Sequence, residues 1–271
     1  MKVRQLLLSL PVELRRDGEL ILAHLLKRKP GELPLIFEEE TPPDIERKFT
    51  ELIKIRQEGV SVAHIIGEWD FYGRTFKVKG GILVPRPETE LLVEKVLELI
   101  PENGKMEGFE VGGGTGCISI TLLLERPLLR MTVDDINSEA VELMKENARL
   151  HGVQDRLEIL RGDMFEPVRG RKFDFVVSNP PYIPESMWES LPSEVKREGR
   201  EALIGGEKGY EFYEKFAKEV GNYLKDKGFV ALEIGHDQGE IVFKLLKEAG
   251  FKEVIIYKDF SGQDRVAVGW S

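Results

Sequence analysis

The sequence predicts an α/β protein built on a largely parallel, seven-stranded sheet, preceded by a small helical domain and a β-hairpin linker. Three observations carry this. After Pro87, short apolar runs alternate with helical stretches, the pattern of a parallel sheet covered on both faces. A glycine-rich segment, Glu110 to Gly116, falls where the first of those runs ends and a helix begins. Ahead of the alternating region, apolar residues recur at roughly helical spacing.

From Val3 to about Lys29 that spacing is carried by Leu6, Leu7, Leu10, Leu14, Ile21, Leu22, Leu25 and Leu26, broken at Pro11 and again at Pro30. A further helix is expected after Pro42-Pro43, with Asp44 as its cap and Ile45, Phe49, Leu52 and Ile53 as its inward stripe. Aromatic and β-branched residues around Gly67 and Gly73 make His64 to Val78 a candidate hairpin. The expected division is therefore a helical domain over 1–62, a hairpin linker over 63–85 and the sheet domain over 86–271. Within the sheet domain, strands are expected at Gly108 to Val111, Met131 to Asp135, Leu157 to Leu160, Phe173 to Ser178, Phe229 to Ile234, Glu253 to Tyr257 and Arg265 to Gly269. Helices fit at Glu88 to Leu99, Gly116 to Glu125, Ser138 to His151, Gly209 to Lys225 and Gln238 to Ala249, leaving the last two strands without an intervening helix.

Composition narrows the function. The 271 residues carry 39 Lys+Arg against 48 Asp+Glu, a formal charge of -9. That balance argues against direct nucleic-acid binding, which draws on a broad cationic surface. A single cysteine, Cys117, excludes an internal disulfide framework and a multi-cysteine metal site, so no metal is expected and a reducing, cytoplasmic setting fits. The apolar run Leu6 to Leu8 is too short for a signal peptide and is followed at once by charged residues. No stretch approaches the roughly 20 apolar residues that span a bilayer.

In the segment Gly112-Gly113-Gly114-Thr115-Gly116, missing side chains let a ligand approach the backbone closely, although a merely tight strand-helix turn has the same composition. A dinucleotide fingerprint wants its third glycine where Cys117 stands, but here it falls at Gly116, one position early, so the spacing favours a methionine-derived ligand over a pyrophosphate. Asp135 closes the next strand, where a carboxylate can accept both ribose hydroxyls. Strand alternation implies that only one of Asp134 and Asp135 faces the crevice, and Asp135 is the expected one. After the third strand, Asp163 and Met164 are placed to wall an adenine ring, Met164 being equally readable as a core-packed methionine. Cys117 reads as a small helix-packing residue.

The most informative segment is Ser178-Asn179-Pro180-Pro181-Tyr182, at the end of an apolar strand. Prolines stiffen it and offer no N–H, so carbonyl acceptors dominate its surface. A planar NH2 group has two donors, and the Asn179 side-chain oxygen and the Pro180 carbonyl can accept one each. Two such acceptors orient a feebly nucleophilic amide nitrogen toward an electrophilic methyl group. Tyr182 can cover the flat face of the substrate.

These residues resemble the release factor glutamine methyltransferases of the PrmC/HemK type, and the likeness spans almost the whole chain. It includes Gly67-Glu68 with Phe71 and Gly73, Val84-Pro85-Arg86-Pro87-Glu88-Thr89-Glu90, the glycine turn, Asp135, Asn179 to Tyr182, Ala202-Leu203 with Gly205-Gly206, Glu233-Ile234-Gly235 with Gln238, and Lys258-Asp259 with Asp264-Arg265. The resemblance implies a class I (Rossmann-like) methyltransferase sheet and S-adenosylmethionine as cofactor. It also implies a helical amino-terminal domain that helps grip the release factor, whose Gly-Gly-Gln loop supplies the glutamine. Carried over by position, Gly112 to Gly116, Asp135, Met164 and Asn179 look like cofactor contacts, joined by Leu83 and Thr89, and Asn179 to Tyr182 look like the glutamine-binding loop.

Three positions depart from the family pattern. Glu110 and Gly113 stand where Asp and Thr are usual, implying a longer carboxylate and a looser turn. Gly199 replaces a usual proline beside Glu198, which leaves the role of Glu198 open. Rival readings are the sister enzyme acting on a ribosomal-protein glutamine, and a DNA or RNA adenine amino-methyltransferase, whose target presents the same NH2 geometry. A non-catalytic cofactor-binding scaffold is a third.

Overall fold

Pro11, Pro30 and Pro42 cut the amino-terminal apolar pattern into short helices: α1 (Val3–Leu8), α2 (Arg15–Leu25) and α3 (Pro43–Gln57). The computed structural model describes residues 1–271, and its contacts divide the chain into two units. Met1–Glu68 with Pro192–Arg197 form the first, and Trp69–Leu191 with Glu198–Ser271 the second.

The first unit buries Leu6, Leu7, Ile21, Leu22, Leu33, Phe49 and Ile53. Helix α3 starts one residue before the expected Asp44 cap. Pro42 is its N-cap and Asp44 lies in its first turn, where the carboxylate complements the helix dipole. The expected strand start at His64 is also corrected: α4 (Val62–Ile66) is a helix, because the Ser61 side chain accepts from the His64 N–H at 3.2 Å and Gly67, at φ 80°, closes the turn. A local cap outweighs the strand preference of Ile65 and Ile66. The short α8 (Ser193–Lys196) also belongs to this unit, held by Arg56 to Glu194 at 2.7 Å and by Arg197 donating to the Glu58 carbonyl at 3.1 Å.

From the last residue of the first segment, Glu68, the chain enters β1 (Glu68–Phe71), which pairs with β2 (Arg74–Lys77) through Tyr72-Gly73, both with positive φ, the geometry of a two-residue hairpin turn. The buried Asn147 side chain takes the Lys77 N–H and donates to the Lys77 and Thr115 carbonyls, tying the hairpin to the glycine turn.

The main sheet has seven strands in the order β5-β4-β3-β6-β7-β9-β8. They are β3 (Glu107–Val111), β4 (Arg130–Asp135), β5 (Leu157–Arg161), β6 (Phe173–Ser178), β7 (Leu224–Glu233), β8 (Glu253–Lys258) and β9 (Asp264–Trp270). The first five run parallel, and β9 is antiparallel to both neighbours. Helices α5 (Thr89–Leu99), α6 (Cys117–Glu125), α7 (Ser138–Leu150), α10 (Glu211–Val220) and α11 (Gly239–Glu248) pack on the sheet, with the short α9 (Arg200–Leu203) in the long segment after β6. Strand alternation sends Phe175 and Val177 into one apolar cluster with Val93, Ile118 and Met131, and Phe109, Val111 and Val176 into another with Phe165 and Phe216.

The helix expected to reach Lys225 stops at Val220, and after one 3-10 turn β7 begins at Leu224. Lys225 is drawn into the strand's start by Asp174 at 3.0 Å and Glu107 at 3.1 Å. No helix of the chain is long and apolar enough to cross a membrane.

Candidate active site

The chain runs outward from β3 through β4 to β5, then returns to place β6 on the other side of β3. Such a reversal opens a crevice at the carboxyl ends of the strands. Val111 pairs with Ser178, whose hydroxyl donates to the Val111 carbonyl at 2.8 Å, so the glycine turn and the Asn-Pro-Pro-Tyr loop leave the sheet side by side. Between them lies a cavity of about 730 Å³, ample for a nucleoside-sized ligand. Leu83, Thr89, Gly112, Gly113, Gly114, Thr115, Asp135, Asp163, Met164, Asn179, Pro180 and Pro181 line it; Gly116 and Tyr182 do not.

Gly112 has φ 72°, and a Cβ built there would meet nothing within 4 Å, so the space above the turn is open. Gly113 is the opposite case. A Cβ would come to 2.4 Å from Val133 and 2.5 Å from the Met144 sulfur. The looser turn expected from this departure is therefore corrected: Met144 and Val133 fill the room that a larger residue at 113 would take. Gly116, at φ 80°, is the N-cap of α6.

Three carboxyls support the turn. Glu110 is 1% exposed, and its Oε2 accepts from both the N–H and the hydroxyl of Ser119, so the longer side chain reaches the first turn of α6. Its Oε1 is buried without a partner, and burial pushes the group up to about 8. Asp134 accepts the Gly112 N–H at 3.2 Å through Oδ1. Its Oδ2 is likewise orphaned, and burial, reinforced by Asp135, Asp163 and Glu110, pushes it up to about 8. Asp135 takes the Gly114 N–H at 2.9 Å and the Asn137 N–H at 2.8 Å, and burial raises it too. The expectation that only one of the Asp134–Asp135 pair faces the crevice is corrected, since both line the cavity. Asp135 is the last residue of β4, where the chain bends into the Asn137 cap of α7 and alternation ceases to separate neighbours.

Met164 is 6% exposed, holds φ 55°, packs with Phe165 and Val168, and also borders the cavity, so its core and ligand readings coexist. Asp163 is exposed and pairs with Lys215 at 2.7 Å.

Below the Asn-Pro-Pro-Tyr loop lies a network whose roles the sequence did not disclose. The Asn179 Nδ2 donates to Thr89 Oγ1 at 3.2 Å, and the Thr89 hydroxyl donates to Glu233 Oε2 at 2.6 Å. The Tyr182 hydroxyl donates to Glu233 Oε1 at 3.2 Å. Gln238 Nε2 donates to the Tyr182 and Gly209 carbonyls at 2.9 and 3.0 Å, while its Oε1 accepts the Gly235 N–H. Gly205 is needed beneath, because a Cβ there would come within 2.5 Å of the Pro181 carbonyl oxygen. Glu233 and Gln238 carried a sequence signal, the Glu-Ile-Gly segment with its following glutamine, but nothing in that spacing told where they point.

Glu198 is 1% exposed and takes the Arg86 guanidinium at 2.6 and 2.7 Å, which gives it a role in holding the segment beside Pro85. Gly199 has φ 94° and would bring a Cβ to 3.0 Å from the Gly81 carbonyl, so the usual proline, fixed near φ -65°, cannot stand in this backbone.

A sheet of this order, with a glycine turn and an Asn-Pro-Pro-Tyr loop at its reversal point, defines an α/β methyltransferase. Residues 87–203 match the model of the Methyltransferase small domain, and residues 11–67 that of the PrmC N-terminal domain. The crystal structure of a methyltransferase from Pyrococcus furiosus shares the fold, with a TM-score of 0.57 over 82% of this chain and 98% of that one, at 17% identity. The release factor glutamine methyltransferase of Aquifex aeolicus is 57% identical over 100% of this chain and 96% of its own. That of Bacillus cereus is 42% identical over 92% and 90%. The chain belongs to the release factor glutamine methyltransferase family.

Proposed function

We propose that the protein transfers a methyl group from S-adenosylmethionine to the side-chain amide nitrogen of the glutamine in the Gly-Gly-Gln loop of peptide-chain release factors. The observation that carries this is the orientation of Asn179. Its Nδ2 is engaged by Thr89, which leaves the amide oxygen as the end available to accept, and Asn179 and Pro180 both border the cavity. Two acceptors side by side suit the two hydrogens of a primary amide. Fixing those hydrogens holds the nitrogen in one position and favours its electron-rich form. Gln238 and Gly205 keep the loop rigid from beneath.

The cavity wall also suits the methyl donor. Glu110, Asp134 and Asp135 all border the cavity, carboxyls that a ligand with cationic groups would draw into their ionised form, and the open face of Gly112 admits a close backbone approach. Gly112 to Thr115, Leu83, Asp163 and Met164 would hold this cofactor, with Asp135 accepting from its ribose. When bound, it supplies an electrophilic methyl group on a sulfonium. The acidic balance of the chain, -9, supports a protein substrate over a nucleic acid.

The test is incubation of the purified protein with labelled cofactor and a release factor, followed by mass spectrometry of the release-factor peptides. A methyl group on the Gly-Gly-Gln glutamine is expected. Transfer to duplex DNA, to RNA or to a ribosomal protein, with none to the release factor, overturns the proposal.

A further inference from the structure

We propose that Glu233 is a positioning residue that, acting through Thr89, fixes which end of the Asn179 carboxamide faces the substrate. This rests on the reading of the Asn179 loop as an amide-binding site. An asparagine side chain is nearly symmetric in shape, and its oxygen and nitrogen ends differ only in what they accept or donate. The reaction needs the oxygen end toward the substrate, so something must make the other arrangement unfavourable.

The chain of hydrogen bonds does this by polarity. An ionised carboxylate only accepts. Thr89 has one hydroxyl hydrogen, and the bond to Glu233 Oε2 at 2.6 Å uses it. Thr89 Oγ1 is then left as an acceptor toward Asn179, which must present its NH2, at 3.2 Å. Its oxygen end is thereby committed to the cavity. Tyr182 holds the second carboxylate oxygen at 3.2 Å, so Glu233 grips the loop on both sides of the Pro-Pro pair. The Tyr213 hydroxyl donates to the Glu233 backbone carbonyl at 2.9 Å and pins the strand end.

Protonation of Glu233 inverts this order. A carboxylic acid can donate to Thr89 Oγ1, which frees the Thr89 hydroxyl hydrogen to point at Asn179 and attracts its oxygen end. The amide then offers NH2 to an incoming NH2, and the substrate loses an acceptor. The groups facing Glu233 are the Thr89 hydroxyl from α5, Glu88 just ahead of it, Tyr182 from the loop, Tyr213 from α10, Arg265 from β9 and Cys117 from α6. Burial pushes Glu233 up to about 7, opposed by the Thr89 bond, Arg265 and the Tyr182 bond, while Glu88 adds to the rise. The switch therefore falls near neutrality, with the active arrangement on the alkaline side.

The test uses the full chain, its cofactor and a release factor. The wild-type kcat is expected to fall on the acid side with a midpoint near 7. Glu233→Gln is expected to abolish that acid limb and lower kcat by about tenfold or more, with KM changed by less than about threefold. Thr89→Val should lower kcat comparably, and Thr89→Ser, which keeps the hydroxyl, should recover most of it. A second readout needs no substrate: the side-chain amide resonances of Asn179 should titrate near neutrality in the wild type and stay flat in Glu233→Gln. An acid limb with the same midpoint in Glu233→Gln, or Asn179 resonances indifferent to pH in the wild type, overturns the proposal. Should Glu233→Gln fail to fold, equal kcat values for Thr89→Val and Thr89→Ser overturn it. A wild type that leaves release factors unmethylated while the Asn179 resonances titrate would refute the assigned reaction and leave the network standing.

Discussion

Asp134→Asn removes a carboxyl that is 1% exposed, with Oδ1 on the Gly112 N–H at 3.2 Å and Oδ2 facing no donor. Burial lifts this group from its usual 3.8 to about 8, so the folded state keeps a proton that the unfolded chain gives up. The sign follows from linkage: Asp134 is least costly below its unfolded value, and stability is lost as pH rises toward the folded one. At about 1.4 kcal/mol per pH unit, the interval between those two values costs on the order of 6 kcal/mol by pH 8.5. Asparagine avoids that cost but puts amide hydrogens where Oδ2 lacks a partner, a loss of about 1–3 kcal/mol. The net gain is about 3 kcal/mol or more, equivalent to roughly 6–12 °C in Tm for a chain of this size. Thermal unfolding of the cofactor-free protein at about pH 4.5 and 8.5 reads it directly. The variant should melt well above the wild type at the higher pH, with the advantage gone or reversed at the lower. An equal shift at both values, or a lower Tm at pH 8.5, would refute the burial argument.

Asn179→Ala should leave cofactor binding measurable by calorimetry while kcat falls about 10²–10³-fold, the cost of one transition-state contact; unchanged turnover would remove Asn179 from the reaction. Gly113→Thr, which installs the family's usual residue, should destabilise by about 1–3 kcal/mol through overpacking, because Val133 and Met144 occupy its space. Pairing it with Met144→Ala should recover part of the loss, and additive losses in the double variant would discount the clash. Cofactor binding should release protons between about pH 6 and 8, since a cationic ligand beside Glu110 and Asp134 lowers their affinity for protons. Binding heats that do not vary with buffer ionisation enthalpy would reject that coupling.

Much of the sheet domain could be read from the chain because its elements are repeated apolar runs bounded by glycine and proline, and burial on both faces leaves few alternatives. The two carboxyl-edge segments were legible for the same reason: Gly112 to Gly116 and Asn179 to Tyr182 are constrained locally. What stayed hidden depends on distance or on competition. Thr89 and Glu233 lie 144 positions apart and meet only because α5 packs near the end of β7. His64 to Ile66 looked like strand because Ile65 and Ile66 are β-branched, yet a serine cap and a glycine stop decided otherwise. Asp134 and Asp135 defeated the alternation rule where β4 ends and the chain bends toward α7. Gly113 looked permissive until Met144, from another helix, was seen to need the volume.

The helical unit is not contiguous in sequence. It borrows Pro192–Arg197, and with that loan come the Glu194 partner of Arg56 and the Arg197 cap on the Glu58 carbonyl. Ser193 also crowds Gly59, where an added Cβ would lie 2.3 Å from its hydroxyl oxygen. A gene truncated after Glu68 therefore yields a polypeptide missing part of its own packing, and no single cut separates the two units cleanly. Anyone wishing to study the helical portion in isolation would have to splice the later hexapeptide back in, or accept a piece with a raw seam along α3.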